Sequence, residues 1–222
     1  MQSNYITLAR SAEVYLEVKK SQFYAACMPV ESEEEAQAFL QARRELRPQA
    51  THHVYAWIIG SSRGDQRFQR FSDDGEPKGT AGPPVFNVLD RGGIEDAAIV
   101  VTRIFGGTLL GTGGLVQAYG NSASEVVKVA GLSEYRLFQR YLVLLTYADY
   151  YAFQPYLQNA PVKVLNETYE VDVEIEVAFE AEEYDPFVAA VQQASRGEAI
   201  MERLDPAYFA VEMSDEQTAP EA

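Results

Sequence analysis

The sequence predicts an α+β chain in two domains, the second with the βαββαβ order of a ferredoxin-like fold. Three observations carry that expectation. Apolar runs of strand length alternate with stretches in which apolar residues recur every three or four positions. Charge divides the chain, because residues 1–136 carry 14 basic and 16 acidic side chains while residues 137–222 carry 4 and 17, so most of the net −15 belongs to the C-terminal part. The 222 residues, 47% of them apolar, suffice for two cores. The expected domains are 1–133 and 137–213, followed by a polar, acidic, disordered tail over 214–222.

From the start, Val14, Leu16 and Val18 alternate with polar residues and Gln22 to Val30 forms a second apolar run, which predicts a hairpin turning at Lys20-Ser21. Ser32 and Glu35 form a capping box for a helix that presents Ala36, Phe39, Leu40 and Leu46 on one face and stops at Pro48. His52–Gly60 and Gln66–Phe71 read as strands around the polar turn 61–65. The segment 72–84 holds three glycines and three prolines and reads as a loop, with Thr80 as the cap of a helix through Asp90. Ala97–Phe105 is a buried strand, and the loop Gly106–Gly114 leads into a helix from Leu115 to Val129 that ends at Gly131.

The remainder reads as a strand (140–147), a helix (149–158), two strands, a helix (185–195) and a last strand (199–211). Tyr169, Val171, Val173, Ile175 and Val177 alternate with Glu170, Asp172, Glu174 and Glu176, which predicts one strand with an apolar face and a carboxylate face. Tyr147, Tyr150, Tyr151 and Tyr156 cluster around the first C-terminal helix, where core packing is the expected role.

Composition narrows the function. No run approaches the roughly 18 to 20 apolar residues of a membrane span, and the opening Met1–Tyr5 has no signal character, so a cytoplasmic protein without membrane contact is expected. One cysteine, Cys27, excludes an internal disulfide framework and a thiolate metal cluster within one chain, and it is expected to be a buried, inert thiol. The acidic C-terminal part is a poor match for phosphate backbones, so any nucleic acid contact is expected through the N-terminal domain alone.

Several stretches carry a family resemblance. Ser72-Asp73-Asp74-Gly75-Glu76-Pro77 with Gly79-Thr80-Ala81-Gly82, and Val100–Gly107 with Leu110–Val116 and Ala118-Tyr119-Gly120, resemble the Impact/YigZ family in its bacterial two-domain form, as do Lys20-Ser21-Gln22-Phe23 and Thr51-His52. The resemblance implies an N-terminal domain like the second domain of ribosomal protein S5 and a ferredoxin-like domain similar to one in elongation factor G. It also implies a cytoplasmic protein linked to translation. The family that the chain resembles includes eukaryotic regulators of a starvation-response kinase pathway that compete for its ribosome-associated activator, which implies a regulatory role by binding. Against the family pattern, Leu109, Gln117 and Pro83 stand where basic residues are common, and Ile104 where an aromatic is common. Loss of those charges weakens any expectation of phosphate or RNA binding.

The candidate residues fall in two loops. Arg103, Gly106, Gly107, Gly111, Thr112, Gly113 and Gly114 form an anion-binding candidate, since backbone N–H groups between a strand and a helix receive anions, although the spacing is neither a Walker loop nor GxGxxG. The competing reading is that these glycines serve positive φ and close packing. Arg103, a charge in a buried strand, requires a partner, with Asp73, Asp74 and Glu76 as candidates. Asp73, Asp74, Glu76, Lys78, Gly79, Thr80 and His52 form the loop-recognition candidate, and Asp73 with Asp74 offers weak oxygen ligation for a divalent metal against an internal salt-bridge network. His52 and His53 point to opposite strand faces and cannot share one metal.

No catalytic constellation can be written and no cofactor is expected. The sequence therefore favours a non-enzymatic regulatory protein, linked to translation, that recognises a protein or ribonucleoprotein through the glycine-rich loops. The carboxylate face of the C-terminal sheet offers a further surface for a basic partner. The alternative is a metal-dependent enzyme acting on a phosphorylated small molecule or nucleotide, with the phosphate cradled at 106–114 and His52 or Glu76 moving a proton. Oligomeric state is left open.

Overall fold

The computed structural model describes residues 4–60 and 67–211, which divide into two compact units, the first running up to Tyr135 and the second spanning Arg136–Ala210. The turn expected at 61–65 and the tail 214–222 lie outside the described residues.

In the first unit, β2 (Ala12–Val18), β3 (Ser21–Pro29), β4 (His52–Ile59), β5 (Phe68–Ser72) and β6 (Ala97–Ile104) form an antiparallel sheet in the order β2-β3-β6-β4-β5. Strand β6 is central and apolar on both faces because helices cover both. Ile99 and Val101 meet α2 (Gly82–Arg91) and α3 (Gly111–Ala130), while Ala98 and Val100 meet Phe39, Leu40 and Trp57 under α1 (Glu33–Leu46). Strand β1 (Asn4–Leu8) lies apart from this sheet and pairs with β7 (Leu132–Leu145).

Several local expectations change. The hairpin closes on Lys19-Lys20 rather than Lys20-Ser21, since Val18 pairs with Ser21 and both lysines take positive φ. Ser32 caps α1 as expected, accepting from Glu35 N–H, but the Glu35 carboxylate accepts from Glu31 N–H, one residue before the cap. Thr80 is not a cap: Ala81 holds that position, and the Thr80 hydroxyl donates to Pro77 O. Helix α3 begins at Gly111, so the glycines after Leu110 are its first turn and not a loop.

The second unit has the order β7, α4 (Tyr147–Asn159), β8 (Lys163–Tyr169), β9 (Val173–Phe179), α5 (Tyr184–Ser195), β10 (Ile200–Val211), and its sheet runs β10-β7-β9-β8. That is the ferredoxin-like arrangement. Val143, Ile175, Val177, Phe153 and Phe187 close its core between the sheet and the two helices. The single strand expected over 169–177 is instead two strands and a turn through which the period of two continues: Tyr169 ends β8, Val171 is 89% exposed, and β9 starts at Val173. Of the four tyrosines near α4, Tyr150 is buried, Tyr156 packs partly against the core, and Tyr151 and Tyr147 are exposed.

Candidate functional site

The register of the first sheet sets Phe23 and His52 on either side of Arg103, all on the face that α3 covers. Tyr119 of α3 packs edge-on against the Phe23 ring at 5.3 Å, which brings its hydroxyl over the same spot. Glu76 enters from the loop. Its Oε1 accepts from Arg103 Nη1 at 2.6 Å and from Tyr119 Oη at 2.8 Å, and its Oε2 lies 3.8 Å from His52 Nε2. Arg103 Nη2 donates to Ser21 Oγ at 3.2 Å, and the same oxygen accepts from Gly106 N–H. A strand arginine thus joins both candidate loops to the β2–β3 turn.

This network is nearly dry, with the side chains of Arg103 and Glu76 only 6% and 3% exposed. Burial, followed by the nearby Glu76 charge, pushes the Tyr119 hydroxyl above its ordinary pKa, so it stays a donor.

Asp73 and Asp74 sit side by side in sequence and diverge in space. Asp73 Oδ1 accepts from Ala81 and Gly82 N–H and Oδ2 from Gly79 N–H, at 2.8 to 3.0 Å. Burial alone would raise its pKa, but the three N–H groups outweigh it and hold the carboxyl below the usual range. Asp74 accepts from His53 N–H at 2.7 Å and from Arg44 at 3.1 Å, and its carbonyl meets His52 Nδ1 at 2.8 Å. Between Asp73 O and Glu76 N–H the chain turns through Asp74 and Gly75, both at positive φ. Among the described residues no group of three His, Cys, Asp or Glu side chains converges for a metal.

The glycine segment combines packing and exposure. A Cβ on Gly106 would fall 2.1 Å from the Lys20 backbone, so only glycine fits there. Gly107 and Gly111 have positive φ, and a Cβ there or on Gly113 would meet none of the described residues within 4 Å. Phe105 and Leu109 flank this open surface, 44% and 82% exposed. Thr112 and Lys78 are exposed, and Lys78 has no hydrogen bond or ion pair among the described residues.

The structure therefore brings Arg103, Glu76, His52 and Gly106 together, keeps Asp73 and Asp74 on separate tasks, and leaves Lys78, Gly107, Gly111, Thr112 and Gly113 at the surface. His53 is buried against Thr102 Oγ1 at 3.1 Å. Cys27 is buried, with its thiol pushed up to about 11 by burial. The carboxylate face expected in the second unit is broken up: Glu170 and Asp172 belong to a turn, and Glu176 is neutralised by Arg140. From the sequence Ser21 is only a turn residue, and Tyr119 and Arg44 have no assigned role. Ser21 and Tyr119 did lie in the stretches that carry the family resemblance, whereas nothing local marks Arg44.

Comparisons with known proteins follow the same division. The profile of the Impact N-terminal domain matches residues 19–127, and that of a domain of unknown function, DUF1949, matches residues 143–198. The chain is 34% identical over 194 residues to the IMPACT family member YigZ of Escherichia coli, covering 87% of this chain and 95% of that protein. It is 33% identical over 212 residues to the IMPACT family member YvyE of Bacillus subtilis, covering 94% and 95%. A crystal structure described as a hypothetical protein shares 31% identity with a TM-score of 0.59, covering 92% of this chain and 99% of the other. No helix of the described residues is long and apolar enough to cross a membrane.

Proposed function

The chain belongs to the Impact family, and from that premise we propose that it is a translation-linked regulatory protein that works by binding a protein or ribonucleoprotein partner. The recognition surface is the exposed edge formed by Lys78 and Gly79 on one loop, Phe105, Gly107 and Leu109 on the other, and Gly113 in the first turn of α3.

One observation carries this reading. The carboxylates of these loops are spent internally, Asp73 on three backbone N–H groups and Glu76 on Arg103 and Tyr119. What faces outward is preformed backbone, apolar side chains and open space above the glycines. Apolar anchors beside bare backbone suit close approach by a partner.

The test is co-sedimentation of the purified chain with ribosomal subunits. Leu109→Asp, at an exposed position, is expected to keep the melting temperature and abolish co-sedimentation. Retained co-sedimentation by Leu109→Asp, or none by the wild type, overturns the proposal.

A further inference from the structure

A second feature lies on the other face of the N-terminal sheet. Gln37, Gln41 and Arg44 are spaced as one stripe of α1, and they face Tyr55 and Trp57 of β4 and Arg70 of β5 across a cleft of about 390 Å³. Arg70 sits directly opposite Trp57 in the β4–β5 register, and the Tyr55 ring stacks on Trp57 at 4.6 Å.

The lining is rich in donors. Arg44 spends one N–H on Asp74 and Arg70 one on Glu33, and among the described residues the rest of each guanidinium has no partner. Among the described residues the buried Trp57 Nε1–H has no acceptor. The carboxylates at the margin are already engaged, Glu33 by Arg70 and Gln37, Glu45 by Gln41, and Asp74 by Arg44 and His53 N–H. Two partly exposed guanidinium forks, a tyrosine hydroxyl and two amides suit a group with three or more acceptor oxygens, more than one carboxylate supplies.

We propose that this cleft binds a phosphate-bearing small molecule between the free edges of Arg44 and Arg70. The site adjoins the recognition loop at two points: Arg44 also holds Asp74, and Arg70 lies in β5 two residues before Ser72, the last residue ahead of the loop. A phosphate that draws Arg44 toward the cleft loosens the Asp74 contacts. Occupancy then changes how firmly the loop is held. Phosphate binding stands apart from partner recognition, whereas its bearing on partner affinity rests on the function proposed above.

Trp57 is the sole tryptophan of the chain, so its fluorescence reports the cleft directly. The full chain is titrated with inorganic phosphate and with ribose 5-phosphate, beside potassium chloride at matched ionic strength and succinate as a dicarboxylate. A saturable change with either phosphate compound and none with chloride is expected, and the tighter of the two identifies free phosphate or a phosphate ester as the source. Arg70→Ala is expected to weaken binding tenfold or more. Gln41→Glu, on the exposed helix surface, tests the same point without removing a sheet residue and is expected to weaken it similarly.

Responses to phosphate that match chloride, wild-type titrations by both variants, or equal binding of succinate would overturn the proposal. Hydrogen exchange at the His53 amide, which donates to Asp74, reads the coupling and is expected to speed up with phosphate bound. Failure of ribosome co-sedimentation leaves the fluorescence titration as an independent result, so the two proposals fail separately.

Discussion

Arg103 donates to Glu76 across 2.6 Å in a place that water scarcely reaches, and the same carboxylate oxygen also accepts from Tyr119. Removing one member strands the other. Glu76→Leu alone is expected to cost about 3–5 kcal/mol because it leaves a buried guanidinium without its counter-charge, and Arg103→Met alone likewise strands the Glu76 carboxylate. Arg103→Met combined with Glu76→Leu is expected to recover most of that loss, since neither charge then remains desolvated. Urea unfolding of the two singles and the double closes the cycle, and additive losses would contradict the pairing.

Asp73 gives the loop a distinct response to acid. Its folded carboxyl titrates below the unfolded one, so the unfolded chain takes up the proton first as pH falls. Its contribution is full above the ordinary Asp value of about 3.9 and is lost as pH drops through the lower folded value. Asp73→Asn, which weakens three N–H bonds at once, is expected to cost about 2 kcal/mol or more at pH 7 and to flatten the acid limb of the stability profile. Melting temperatures from pH 7 to pH 2.5 for both proteins check both statements.

His53 acts in a higher window. Burial holds it below its ordinary pKa, so it is neutral in the folded state and the unfolded chain binds the proton more readily. Stability is expected to fall as pH drops below about 6.5, down to the folded value. In His53→Gln the decline between pH 7 and pH 5 should shrink, and an unchanged decline would assign it to other groups.

Much of this was legible in the sequence because the local signals agree. Capping at Ser32, the apolar run of β6 and the βαββαβ order each rest on residues whose propensity, pattern and burial point the same way. A charge in a buried strand demands a partner for Arg103, which the sequence shows, whereas the choice of Glu76 over Asp73 is not legible in it. That choice depends on the turn through Asp74 and Gly75, which aims successive carboxylates at different targets. The hairpin at 169–173 escaped because a period of two continued through the turn. The cleft under α1 escaped because Arg44, Trp57 and Arg70 come from three elements and meet only in the folded sheet.

Two glycines of the same segment should behave oppositely. Gly106→Ala drives a methyl into the Lys20 backbone and is expected to destabilise by about 1–3 kcal/mol or more. Gly113→Ala puts its methyl in open space within the first turn of α3 and is expected to be neutral or to stabilise by up to about 1 kcal/mol. If a partner backbone approaches this surface, Gly113→Ala should still lose co-sedimentation with ribosomal subunits. A variant that is stable and fully binding would remove Gly113 from the interface.

Lys19 and Lys20 occupy the tip of the β2–β3 hairpin at φ 46 and 67, a conformation that asparagine and glycine adopt at lower cost. Both are exposed, and no hydrogen bond or ion pair holds either side chain among the described residues. The backbone of Lys20 and Ser21 touches Gly106, so the turn is clamped to the glycine segment. Lys19→Asn with Lys20→Gly relieves the strain and is expected to stabilise by about 1 kcal/mol, or roughly 2–4 °C in Tm for a chain of this size. The exposed basic tip lies beside the proposed recognition surface, where its charges would reach a partner docked there. The same double variant should therefore melt higher and co-sediment less, with the deficit shrinking as salt is raised because the lost contacts are charges. A higher Tm with unchanged co-sedimentation at every salt concentration would leave the lysines without a part in binding.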